Sequence, residues 1–230
     1  MDKVIARRSL FVLATACALV LVPASAGSAQ ATGAATATAS GHPCPTGEIF
    51  ATNNTATITD PTDPRLQTHL RRFDHEVRAT IRAYGARPGA STLLDGVFWS
   101  SDLKQTTYER SREFDVTRVS PDGLHHIADI IAKQYHQESV LTFRCLPRSS
   151  PDTDAVEIQA PGVTVTRLHD ALVADPEARD TLEGGSVTLD GRLILIAPLA
   201  SLPLAQKFAK SLGVDWNTAE VRYGADEFVS

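Results

Sequence analysis

Residues 93–119 read LLDGVFWSSDLKQTTYERSREFDVTRV, and the fold turns on how this stretch is divided. Leu93 to Ser100 is short, apolar and aromatic, Thr106 to Val119 alternates, and Ser101 to Gln105 is a polar turn. The stretch therefore reads as two antiparallel strands. In the second strand Tyr108, Arg110, Arg112, Phe114 and Val116 share one face, while Glu109, Ser111, Glu113, Asp115 and Thr117 share the other. Neither face is cleanly apolar.

Helical patterns flank this pair. After Asp63-Pro64, a cap followed by a proline suited to a first helical turn, Leu66, Leu70, Phe73, Val77, Ile81 and Tyr84 recur at three- and four-residue steps until Gly85. Ser120-Pro121-Asp122 opens a second helix with Leu124, Ile127, Ile131 and Tyr135 on one stripe, ending near His136. Glu48 to Thr59 and Ser139 to Leu146 supply outer strands, which gives the order strand, helix, strand, strand, helix, strand. That order predicts an α+β fold: a ferredoxin-like split βαβ module over 44–148, with an antiparallel sheet and two helices on one face. A polar boundary, RSSPDTD at 148–154, separates it from a second, smaller α+β module over 152–230. The second module has a strand at Val156 to Ile158, a helix from Thr166 to Leu182 broken at Asp175-Pro176, and an Asp190-Gly191 hairpin. A helix from Leu202 to Leu212 and a strand from Glu220 to Tyr223 complete it.

The first 31 residues have another character. Lys3, Arg7 and Arg8 precede the uncharged run Leu10 to Val22, and small residues follow at Ala24, Ala26, Ala29 and Ala31. This predicts a secretory signal peptide cut near Ala26 or Ala31, hence an extracellular protein; a membrane anchor would need about 20 apolar residues. Residues 32–43, Ala/Thr/Gly/Ser-rich, predict a disordered tether. Without the signal peptide the chain keeps 19 basic and 26 acidic residues, a net charge near −7. That balance, with no basic run, argues against nucleic acid or an anionic membrane surface as partner. Cys17 leaves with the signal peptide, and Cys44 and Cys145 are expected to pair as a disulfide joining the two ends of the first module.

Phe98-Trp99, then Tyr108-Glu109-Arg110-Ser111, then Gln137-Glu138-Ser139-Val140-Leu141 resemble a family of small exported bacterial domains of unknown function. The resemblance spans about residues 92–143. It implies a compact α+β build and no particular reaction.

HExxH, Walker A, GxGxxG, EF-hand and GxSxG patterns are absent, so no cofactor and no metal are expected. Adjacent histidines on a helix point about 100° apart, so His125-His126 makes no ligand pair; His125 with Asp129 is at most half a site. Gln137 and Glu138, at the junction of helix and final strand, read first as groups that bond loop amides, the alternative being a carboxylate that faces the Trp99 region. The acids Glu109, Glu113 and Asp115 are the weak catalytic candidates, with His125 behind them, because same-face strand carboxylates approach the spacing used in acid/base work on sugars. Trp99 on the neighbouring strand, and Ser111 between two arginines, are the candidate ligand-binding residues. The expected function is non-enzymatic binding of an unknown extracellular ligand or protein. The alternative is an extracellular hydrolase or lyase using Glu109, Glu113 and Asp115.

Overall fold

The structure, a computed structural model, describes residues 44–100 and 103–230. The expected signal peptide and tether lie outside the described residues, which belong to one compact unit.

The first half runs β1 (Gly47–Ala51), α1 (Arg71–Ala83), β2 (Arg87–Ser100), β3 (Gln105–Thr117), α2 (Pro121–Tyr135) and β4 (Val140–Cys145). The second runs β5 (Ala155–Pro161), α3 (Val165–Ala174), α4 (Pro176–Thr181), β6 (Gly184–Thr188), β7 (Arg192–Pro198), α5 (Leu202–Ser211) and β8 (Glu220–Val229). Local chemistry sets the boundaries. The Ser120 hydroxyl caps α2 by accepting the Gly123 amide at 3.1 Å. Asp175 ends α3 and caps α4, accepting the Ala178 amide at 3.0 Å. The Asp63-Pro64 signal, by contrast, makes a 3-10 turn at Pro64–Gln67, and α1 starts only at Arg71, after Leu70 in the left-handed region. Between β6 and β7 the tight turn uses Gly191 at φ +83°, which a side chain would strain.

All eight strands form one closed antiparallel barrel in the order β1-β3-β2-β6-β7-β5-β8-β4, with β4 returning to β1. This corrects the expected ferredoxin-like split βαβ module followed by a separate smaller one. Two joins make the difference. β2 pairs with β6 through Leu94↔Thr188, Asp95↔Val187 and Gly96↔Ser186, and β4 pairs with β8 from Val140↔Val229 to Cys145↔Gly224. Two open sheets would each leave two unpaired edges; closing the barrel satisfies all four. The helices cover the outside. Ile49, Phe114 and Val116 pack with Phe73, Val77 and Ile81 of α1 and Ile127 and Ile131 of α2. Val156, Ile158 and Leu195 pack with Leu168 of α3 and Phe208 of α5.

The face expected to be helix-free and solvated is therefore the barrel interior. Gly224 leaves no room for a side chain against β4: a Cβ there would lie 2.6 Å from Phe143 Cζ and closer still to the Arg144 carbonyl. Cys44 and Cys145 are bonded, with Cα atoms 6.2 Å apart, so the disulfide clamps the segment before β1 to the end of β4. No helix among the described residues is long and apolar enough to cross a membrane. The disulfide fits an oxidising compartment.

Candidate functional site at the barrel mouth

Alternation along β3 decides what enters the barrel. Phe114 and Val116 turn outward into the helix-covered core, so Glu109, Ser111, Glu113 and Asp115 turn inward. At one end of the interior is a cavity of about 520 Å³, lined by residues from seven of the eight strands. Its walls include Phe50, Leu94, Leu141, Ile194 and Ile196, with Glu109, Ser111 and Ser186 among them. This volume lies within the range of small-molecule sites, about 300 to 1,000 Å³. Phe98 and Phe228, 42% and 52% exposed, stand at the rim, an unusual use of large apolar side chains on a wet surface.

Two loops shape the opening. Thr52 ties the loop after β1 in place: its amide donates to Gln137 Oε1 at 3.0 Å and its hydroxyl to the Arg110 carbonyl at 2.7 Å. Gln137 thus bonds a loop amide as its position suggested, while its Nε2 is buried without a partner and the residue lines the cavity. Trp99 lines the cavity as well, with the Arg179 guanidinium 3.9 Å from its ring centre.

Glu109 is the acid that the strands contribute to this cavity, and Glu138, between α2 and β4, lines it as well. Burial among the strands pushes the Glu109 carboxyl up from 4.5 to about 7, against a weaker opposing hydrogen bond from Ser111. A carboxyl in that range exchanges its proton near neutral pH. Such a group can donate to or accept from a bound molecule.

The other catalytic candidates from the sequence are not gathered there, although the binding candidates Trp99 and Ser111 are. Glu113 and Asp115 lie deeper on the same face of β3, about 13 Å or more beyond Glu109 at roughly 3.3 Å per residue. Glu113 and Asp115 instead meet Glu48, with carboxylate oxygens of the three within 4.8 Å of one another. The three-acid site read from one strand is thus divided. His125 is on the outer surface, where Nδ1 lies 2.9 Å from Glu227 Oε1, and it faces neither group of acids. The arginines flanking Ser111 turn away from it: Arg110 pairs with Asp95 at 2.8 Å, and Arg112 donates to Ser91 Oγ at 2.9 Å.

Beside the deep acids is an ion-pair network that the sequence did not announce. Arg222 of β8 donates to Glu48 at 2.6 Å and to Glu157 of β5 at 2.5 Å; the two carboxyls are 1% and 0% exposed. Gln159 donates to Glu157 at 2.6 Å and accepts from Arg192 at 2.8 Å. Burial first, then Glu157, raises the Glu48 carboxyl well above its ordinary range, and burial with Glu157 and Asp115 takes Glu113 to about 7. In the sequence, Val156-Glu157-Ile158-Gln159-Ala160 alternates like any half-solvated strand. The one available signal was that similar polar positions recur in β1, β3, β5 and β8.

No protein-family model matches the chain, and no curated protein matches it significantly. Among solved structures, a candidate monooxygenase from Lactobacillus acidophilus NCFM is 12% identical, covering 81% of this chain and 96% of its own, with a TM-score of 0.25. An anthrone oxidase-like protein is 11% identical, covering 80% of this chain and 93% of its own, also at a TM-score of 0.25.

Proposed function

We propose that the chain is an exported protein that takes a small, mainly apolar molecule into the barrel mouth and presents Glu109 to its polar group. The observation that carries this reading is the cavity itself: about 520 Å³, with apolar walls from Phe50, Leu94, Leu141, Ile194 and Ile196 beside polar ones in similar share, and with the inward carboxyl of Glu109 raised to about 7. Exposed Phe98 and Phe228 at the rim suit capture of an apolar molecule from water. Export rests on the charged, apolar and small-residue pattern of residues 1–31 and on the disulfide, and it agrees with the resemblance to small exported bacterial domains. The net charge near −7 leaves nucleic acid outside this reading.

Acid/base catalysis on the bound molecule is the second reading. It is favoured by the Glu109 pKa, which is suited to proton transfer at neutral pH. This version uses Glu109 without Glu113 or Asp115, which do not line the cavity.

N-phenyl-1-naphthylamine, a neutral apolar fluorophore, tests the binding claim. Saturable one-to-one binding is expected, with dye emission rising and Trp99 fluorescence changing. Gly96→Leu should block it, because a Cβ on Gly96 meets Glu109 Cβ at an ordinary 3.6 Å and a longer side chain extends into the cavity. Equal binding by a folded Gly96→Leu variant would remove the barrel mouth as the site.

A further inference from the structure

The deep end of the barrel carries more buried negative charge than its cations balance. Glu48, Glu113, Asp115 and Glu157 face the guanidiniums of Arg222 and Arg192, four acids against two bases. Arg78 also acts on Asp115, but it is already paired with Asp74 at 2.9 Å. Arg222 is spent on one oxygen each of Glu48 and Glu157. The second carboxylate oxygens of Glu48, Glu113 and Glu157 are buried without a hydrogen-bond partner. Glu113, only 6% exposed, has no hydrogen bond or ion pair to any described residue. Leaving a buried carboxylate unpaired is costly, so without an ion the group must hold protons, and a cation at its centre would take their place.

We infer that Glu48, Glu113 and Asp115 hold a divalent cation of the oxygen-preferring class, such as Ca²⁺, Mn²⁺ or Mg²⁺. Three carboxylates from β1 and β3 bring oxygens within 4.8 Å of one another. Ligand oxygens on opposite sides of a Ca²⁺ ion, each at about 2.3 to 2.6 Å, are about 4.6 to 5.2 Å apart, so an ion fits among them without rebuilding the strands. One divalent ion would offset the excess of two acids over bases and give partners to the orphaned oxygens of Glu48 and Glu113. Asp115, only partly buried, leaves a way in from solvent. An all-oxygen donor set without histidine or thiolate disfavours zinc and copper. The site is independent of the mouth cavity, and it reverses the expectation from motifs that no metal binds.

The test uses the full mature chain, stripped with chelator and titrated calorimetrically with Ca²⁺, Mn²⁺ and Mg²⁺ in turn. One saturable ion per chain is expected for at least one of them, with a rise in Tm. Glu113→Gln and Asp115→Asn should each weaken binding tenfold or more. Asp154→Asn with Glu227→Gln, on the acidic surface groove beside His125, should leave binding unchanged. If Glu113→Gln does not fold, Asp115→Asn at the rim of the group decides. Absence of saturable binding up to about millimolar ion, with the barrel folded by circular dichroism, would overturn the inference. Binding retained in a folded Asp115→Asn variant but lost in the groove variant would overturn it equally.

Discussion

Replacing Arg222 by Met keeps most of the side chain's length and apolar stem while deleting its charge. Two carboxyls, Glu48 and Glu157, then stay inside the barrel without the guanidinium that meets them at 2.6 and 2.5 Å. Breaking a buried pair from one side costs about 3 to 5 kcal/mol, because the partner remains buried and unpaired. Against a total stability of about 5 to 15 kcal/mol, that loss is large. Glu48, whose carboxyl burial already raises, has an escape, which is to keep its proton. The cost of Arg222→Met should therefore be near its full value at pH 7.5 and fall substantially by pH 5. Urea unfolding of the disulfide-intact protein at both pH values, with chelator present, measures this difference. A loss below about 1 kcal/mol at pH 7.5, or one equal at the two pH values, would refute the view that Arg222 is the counter-charge of the interior.

The disulfide closes a separation of 101 residues, so its reduction should remove about 4 to 5 kcal/mol in the chain-entropy model, seen as a lower urea midpoint. Alkylation followed by mass spectrometry should label Cys44 and Cys145 only after reduction. Gly224→Ala should cost about 1 to 3 kcal/mol or more by driving β8 from Phe143 and the Arg144 carbonyl, read as a fall in Tm. In metal-free protein, Glu109 and Glu113 rise from 4.5 to about 7 on folding, so between those pH values the folded chain holds protons that the unfolded chain releases. Stability should therefore fall as pH rises through that window, by about 3 kcal/mol or less per group, and level off above it. Urea midpoints across pH 4 to 8 should show this decline, with a shallower slope in Glu109→Gln.

The elements were legible because each has its own local signal. Phe73, Val77 and Ile81 mark the buried stripe of α1, Ser120 starts α2, and Asp190-Gly191 turns β6 into β7. Closure has no such signal. Whether β2 ends a sheet or meets β6 depends on Leu94, Gly96, Ser186 and Thr188, whose types suit an edge as well as an interior. The same ambiguity divided the site. Glu109, Ser111, Glu113 and Asp115 alternate with larger residues, and a face facing water reads like a face lining a barrel. Glu109 and Trp99 could be singled out from one hairpin, and they do share the cavity. Glu48, Glu157 and Arg222 come from three strands far apart in sequence, so only the closed barrel brings them together.

The carbon-13 signal of the Glu109 carboxyl, assigned by its loss in Glu109→Gln, tests the central claim most directly. The account predicts titration near pH 7 in the free protein and a further upward shift when N-phenyl-1-naphthylamine displaces water from the cavity. Titration near 4.5, unchanged when the protein is saturated with the dye, would contradict it.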